Sequence, residues 1–126
     1  MDGEETETLI YLVDDEPLLL EVAEASLTDP SWRLKKFNDP ALAWESFRAE
    51  RPKPALLLTD YWMGSMTGLE LAALCKEAHP KLKVILASGT VGAEIANAGP
   101  VKIDWFLAKP FHPRQLLEAV QSLLPA

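Results

Sequence analysis

Short apolar runs alternate with longer stretches in which apolar residues recur every three or four positions, and the cycle repeats five times. The short runs predict strands over Leu9–Val13, Trp32–Phe37, Ala55–Thr59, Lys83–Ala87 and Trp105–Ala108. The first, third and fourth are almost wholly apolar, as parallel strands covered on both faces should be. The longer stretches predict helices. The first opens at Pro17, a residue suited to the first helical position, and aligns Leu19, Val22, Ala23 and Leu27 on one face. The second takes Asp39 as N-cap with Pro40 behind it, and turns Ala43, Trp44 and Phe47 inward. The third runs from about Gly68 to Ala78 and ends before Pro80. The fourth, around Val91–Ala98, is weak, because Gly92, Gly99 and Pro100 leave it little room. The fifth opens at Pro113 and carries Leu116, Val120, Leu123 and Leu124 as a stripe.

Strand and helix in strict alternation predict an α/β fold: a doubly wound, flavodoxin-like (βα)5 three-layer sandwich. Its five-stranded parallel sheet takes the order 2-1-3-4-5, with right-handed crossovers. The 126 residues suit a single domain, with its core from about 9 to 124 and no internal repeat.

Charged residues collect at the strand ends. Asp60 follows the third strand, Asp14 and Asp15 the first, and Lys109 the fifth. In the 2-1-3-4-5 order the first and third strands are neighbours, so the three acids converge at the carboxyl edge, where open α/β sheets build their sites. Three close carboxylates repel one another unless a cation sits among them. Oxygen ligands on short side chains suit Mg²⁺. The plainer alternative is that Asp14, Asp15 and Glu16 only cap the first helix at its positive end, which leaves Asp60 and Lys109 unexplained. The fourth strand ends in Ala87-Ser88-Gly89, where a hydroxyl can donate to a phosphoryl oxygen. Lys109 can neutralise such a group or pair with Asp60.

Composition narrows the function. A net charge of −7 disfavours direct binding to nucleic acid or to an anionic membrane. No apolar stretch approaches the roughly 20 residues of a membrane span. The start, Met1-Asp2-Gly3-Glu4-Glu5, is acidic where a secretory signal is basic, so a cytoplasmic location is expected. Cys75 is the only cysteine and shares a helix face with Leu71, Leu74 and Ala78, as a packed core thiol would. His79 and His112 fall at helix ends. Trp32, Trp44 and Trp105 fill core or sheet-edge space, with Trp105 neighbouring Phe106 on the face of the fourth helix, fifth strand and fifth helix.

Four motifs stand in order: Leu12-Val13-Asp14-Asp15-Glu16-Pro17; Asp60 with Met63 and Gly68-Leu69-Glu70; Ala87-Ser88-Gly89; and Lys109-Pro110-Phe111. With them the chain resembles the receiver domain of two-component response regulators, from Leu9 to Leu124. The resemblance implies that Asp60 is a phosphoacceptor, served by a histidine kinase or a histidine phosphotransfer protein. It implies Mg²⁺ held by Asp15, Asp60 and the backbone carbonyl of Trp62, with Asp14 acting largely through water. It makes Ser88 and Lys109 the ligands of the phosphoryl oxygens, and Phe106 the switch aromatic. Output, and a homodimer if one forms, would use the surface of helix 4, strand 5 and helix 5. The chain would be a switch with slow self-dephosphorylation rather than an enzyme.

The departures are specific. Gly64 stands where the family has proline, which predicts a looser loop after Asp60. Phe106 lacks the hydroxyl of the commoner tyrosine, and the fourth helix is weak. A phosphatase of the haloacid-dehalogenase type needs a general acid two residues after its nucleophile, and Trp62 cannot transfer a proton. A flavodoxin-like cofactor binder needs a first loop rich in Ser, Thr and Gly, not Asp14-Asp15-Glu16. A phosphorylation-independent interaction module is the remaining alternative, and the complete set of charged site residues argues against it.

Overall fold

A computed structural model describes residues 7–99 and 101–125. Its elements alternate as β1 (Thr8–Val13), α1 (Pro17–Ser26), β2 (Trp32–Phe37), α2 (Pro40–Ala49), β3 (Leu56–Asp60), α3 (Gly68–Ala78), β4 (Lys83–Ser88), α4 (Ala93–Ala98), β5 (Trp105–Ala108) and α5 (Pro113–Leu123). The strands form one parallel sheet in the order β2-β1-β3-β4-β5, as the pattern predicts.

Side chains that alternate along each strand build two cores. Ile10, Leu12, Leu56, Leu58, Ile85 and Leu107 face α1 and α5. Tyr11, Val13, Leu57, Val84 and Leu86 face α2 and α3, where Phe47, Leu71, Ala72 and Cys75 meet them. Burial pushes the Cys75 thiol up to about 12, so it is a packed, unreactive group.

Local signals set most element ends. Asp39 caps α2 by accepting from the Ala41 amide. Thr67 and Glu70 form a reciprocal capping box at α3. His112 caps α5 through Nδ1, which accepts from the Arg114 amide, and His79 is the C-cap of α3.

Several expectations need correction. β3 begins at Leu56 and includes Asp60, and β4 includes Ser88, because Asp60 pairs with Ala87 and Ser88 with Ala108 in the ladders. The buried stripe of α1 is Leu20, Ala23 and Leu27, whereas Leu19 is half-buried and Val22 faces outward. Five apolar candidates, at 18, 19, 20, 22 and 23, left the helix rotation ambiguous, and packing against α5 resolves it. Trp105 packs on the α1–α5 side, opposite to Phe106, since adjacent strand residues point to opposite faces. α4 spans only six residues.

Gly68 is where α3 meets the sheet edge. Its amide donates to the Tyr61 carbonyl at 2.8 Å, and an added Cβ would overlap the Asp60 carbonyl oxygen and crowd Leu86 Cδ1. Gly68→Ala is therefore expected to lower stability by about 1–3 kcal/mol, as overpacking does. Urea unfolding checks this, with a lower midpoint as the expected outcome.

Candidate functional site at the carboxyl edge of the sheet

β1 and β3 are hydrogen-bonded neighbours with Val13 opposite Thr59, so Asp14 and Asp60 emerge side by side. Asp14 is buried at 2% exposure and Asp60 nearly so, while Asp15 is exposed. Carboxylate oxygens of Asp14, Asp15 and Asp60 lie within 4.8 Å of one another. Such a set of hard oxygen donors suits a small divalent cation.

Lys109 closes the group from β5. Its Nζ lies 2.8 Å from Asp14 Oδ2, 3.0 Å from Asp60 Oδ1 and 3.9 Å from Glu16 Oε1. The Lys109 amide donates to the Ser88 carbonyl at 2.9 Å, and the Lys109–Pro110 peptide is cis. The other oxygen of Asp14 accepts from the Glu16 amide at 2.9 Å, which ties the site to the start of α1. Burial works against the Lys109 ammonium, but Asp14 and Asp60 outweigh it and hold the pKa above the ordinary lysine value. For Asp14 burial prevails: it raises the carboxyl above its usual range although Lys109 and the Glu16 amide pull it back. Negative charge is therefore in excess in the cleft.

Ser88 is buried beside this group, but its hydroxyl is turned to its own loop. Oγ accepts from the amides of Thr90 and Val91, each at 3.0 Å, and meets Thr90 Oγ1 at 3.2 Å. In the loop after Asp60 the chain makes a tight turn at Gly64. Met63 is buried, with Thr59 Oγ1 3.8 Å from its sulfur. The Ser65 amide donates to the Met63 carbonyl across Gly64, whose φ of +83° makes a γ-turn. Proline, fixed near −65°, has no access to this conformation. Trp62 lies on this loop, 61% exposed and stacked on Tyr61. Phe106 is half-buried against the α2–α3 core.

Two participants were not singled out for these roles from sequence. Glu16 reaches toward Lys109, and Thr90 shares the Ser88 hydroxyl. Their only signal is adjacency to the motifs.

The response regulator receiver domain family matches residues 10–121. The receiver protein CpdR of Brucella abortus is 30% identical over 93% of this chain and 97% of its own length. A putative two-component response regulator of Arabidopsis thaliana, ARR21, is 27% identical over 91% of the chain, which spans only 19% of that protein. A CheY-like receiver domain structure from Methanospirillum hungatei superposes with a TM-score of 0.80 at 25% identity, covering 92% of each chain. The chain belongs to the response regulator receiver domain family, and its function is that of a receiver in two-component signalling. Members of this family are generally switches rather than enzymes, and they work with histidine kinases or phosphotransfer proteins. Among the described residues no helix is long and apolar enough to cross a membrane.

The raised pKa of Asp14 has a sign. An acid whose folded pKa lies above its unfolded one loses stability as pH rises between the two, and that loss persists at neutral pH. Asp14→Asn is expected to stabilise the metal-free protein by roughly 1 kcal/mol, about 4 °C in Tm for a domain of this size. Calorimetry at pH 7 in the presence of a chelator measures it, and a lower Tm would contradict the charge excess.

Proposed function

We propose that Asp60 accepts a phosphoryl group from a phosphohistidine. The observation that carries this is Lys109 Nζ held 3.0 Å from the Asp60 carboxylate, within a group of three acids. An Asp60 oxygen attacks phosphorus, the P–N bond breaks, and its electron pair returns to the donor imidazole. The Lys109 ammonium then balances charge on the phosphoryl oxygens, and the Ser88 hydroxyl donates to one of them. Asp14, Asp15, Asp60 and the Trp62 carbonyl are the groups that would hold Mg²⁺, which when bound offsets the charge of acids and phosphoryl group together. Slow attack by water on the acyl phosphate resets Asp60. The chain therefore acts once per phosphorylation and turns over no outside substrate.

The surroundings support a protein donor. Leu18 and Val22 project from α1, 71% and 38% exposed, and with Pro110 and Phe111 they line a groove that also includes Glu16 and Lys109. A helix carrying the donor histidine would cover this apolar patch while its imidazole reaches Asp60. A cytoplasmic kinase or phosphotransfer protein fits that role. Output, and a homodimer where one forms, is assigned to the face of α4, β5 and α5, with Phe106 turning inward as the loop after β4 moves.

With Mg²⁺ and acetyl phosphate, the protein is expected to gain one phosphoryl group and Asp60→Asn none, as read by intact-protein mass spectrometry. Equal labelling of the variant would refute the assignment. Magnesium titrations are expected to show a larger loss of affinity for Asp15→Ala than for Asp14→Ala, since Asp15 is assigned as the direct ligand. Millimolar Mg²⁺ is expected to raise the Tm of the unaltered protein, because a ligand of the native state stabilises it.

A further inference from the structure

β3 is apolar from Leu56 to Leu58 and then carries Thr59, fully buried, immediately before Asp60. A branched side chain suits a strand, and valine has the same shape, so packing alone does not call for a hydroxyl here. That hydroxyl has one proton and donates it to the Asp60 carbonyl at 3.0 Å. The carbonyl has lost its strand partner. In a parallel sheet the backbone groups of successive residues turn alternately to the two neighbouring strands. The Tyr61 amide is bonded to Ala87 of β4, so the Asp60 carbonyl faces the β1 side. There the ladder ends with Val13 opposite Thr59. Gly68 closes over the carbonyl from α3, where an added Cβ would overlap it. Thr59 Oγ1 also lies 3.8 Å from Met63 Sδ, so one buried hydroxyl touches both ends of the segment 60–63. Between them the Gly68 amide holds the Tyr61 carbonyl at 2.8 Å. Trp62 is 61% exposed, so its backbone is placed by these neighbours and not by burial of its own side chain.

We propose, given the assignment of the Asp60 cleft to Mg²⁺ and phosphoryl transfer, that Thr59 is a positioning residue of this site. Its hydroxyl fixes the turn 60–63 from beneath and so presents the Trp62 carbonyl as a ligand for the cation. Thr59 touches neither cation nor phosphoryl group; it acts through the peptide groups on either side of Trp62. Without the hydroxyl, the Asp60 carbonyl is left buried with no donor, a state costly enough that the turn shifts to find one. Asp14, Asp15 and Asp60 would still offer their carboxylates, but the carbonyl donor would no longer be held in place.

The test compares Thr59→Val, which keeps the branched shape and loses the hydroxyl, with Thr59→Ser, which keeps the hydroxyl and loses the methyl. Both are made in the full chain and titrated with Mg²⁺. Affinity is read from the amide shifts of residues 60–64, coordination from the ¹³C shift of the Trp62 carbonyl, and the fold from urea unfolding with a chelator. The valine variant is expected to bind Mg²⁺ about tenfold more weakly, as loss of a group that orients a metal ligand does, and to lose the Mg²⁺-dependent Trp62 shift. The serine variant is expected to keep both, even where its urea midpoint is the lower. A purely structural role gives the reverse order, with serine the weaker binder in step with its lower midpoint. That order, or a valine variant with affinity and carbonyl shift unchanged, overturns the proposal and leaves Asp60 as acceptor standing. Labelling of the unaltered protein by acetyl phosphate separates the two readings. Mg²⁺ binding without labelling defeats the acceptor, and the valine and serine variants then decide Thr59 by themselves. No Mg²⁺-dependent change at residues 60–64 of the unaltered protein overturns the metal assignment and the role of Thr59 together.

Discussion

Like charges forced together at one edge of a sheet are the constraint on which this molecule turns. Asp14 follows β1, Asp60 ends the neighbouring β3, Asp15 comes next and Glu16 stands close by, and among the described residues one ammonium serves them all. Lys109 reaches this group from the end of the edge strand β5, across the end of β4. One lysine does not balance the acids, and burial makes the imbalance worse for Asp14. The result is a cleft whose resting state is electrostatically unfinished. A small divalent cation suits such a cleft, because it would offset the excess of negative charge.

The rest of the fold keeps that cleft in place while leaving one side soft. α1 and α5 close one core, α2 and α3 the other, and the buried Met63 and the turn at Gly64 pin the loop that follows Asp60. Gly68 lets α3 begin directly against the Asp60 carbonyl. Against this rigid frame, α4 is short, capped by glycines and exposed wherever its side chains are described. The Ser88 hydroxyl serves the soft side in the resting protein.

Away from the site, buried polar groups fasten the layers. Tyr11 donates to Glu50 at 2.6 Å and meets Ser46 Oγ at 2.7 Å, which joins β1 to α2, and Lys35 completes the ion pair with Glu50. Burial first, then Glu50, raises the Tyr11 phenol well above its ordinary range, so it stays a neutral donor. Asp104 accepts from the Val84 amide at 2.8 Å and from Lys76 at 3.0 Å, and so orients the turn into β5. No pattern of apolar positions marks either network, because each partner is an ordinary polar residue until the layers meet.

Element type and order along the chain were legible because they depend on local periodicity: apolar runs for buried strands, a three-to-four spacing for helices, and turn residues between them; the strand order followed from the doubly wound fold that such alternation adopts. The strand-end acids and Lys109 were legible for the same reason, since a charge that ends an apolar run is visible without coordinates. Tertiary structure decided what rotation and partnership depend on. It chose Leu20 over Val22 for the core, sent Trp105 to the face opposite Phe106, and turned Ser88 to Thr90 and Val91. It also brought Lys109 to Asp14 across 95 positions of sequence. Such contacts are set by packing between layers and by competition for single hydrogen-bond donors, and neither leaves a periodic trace in the order of residues.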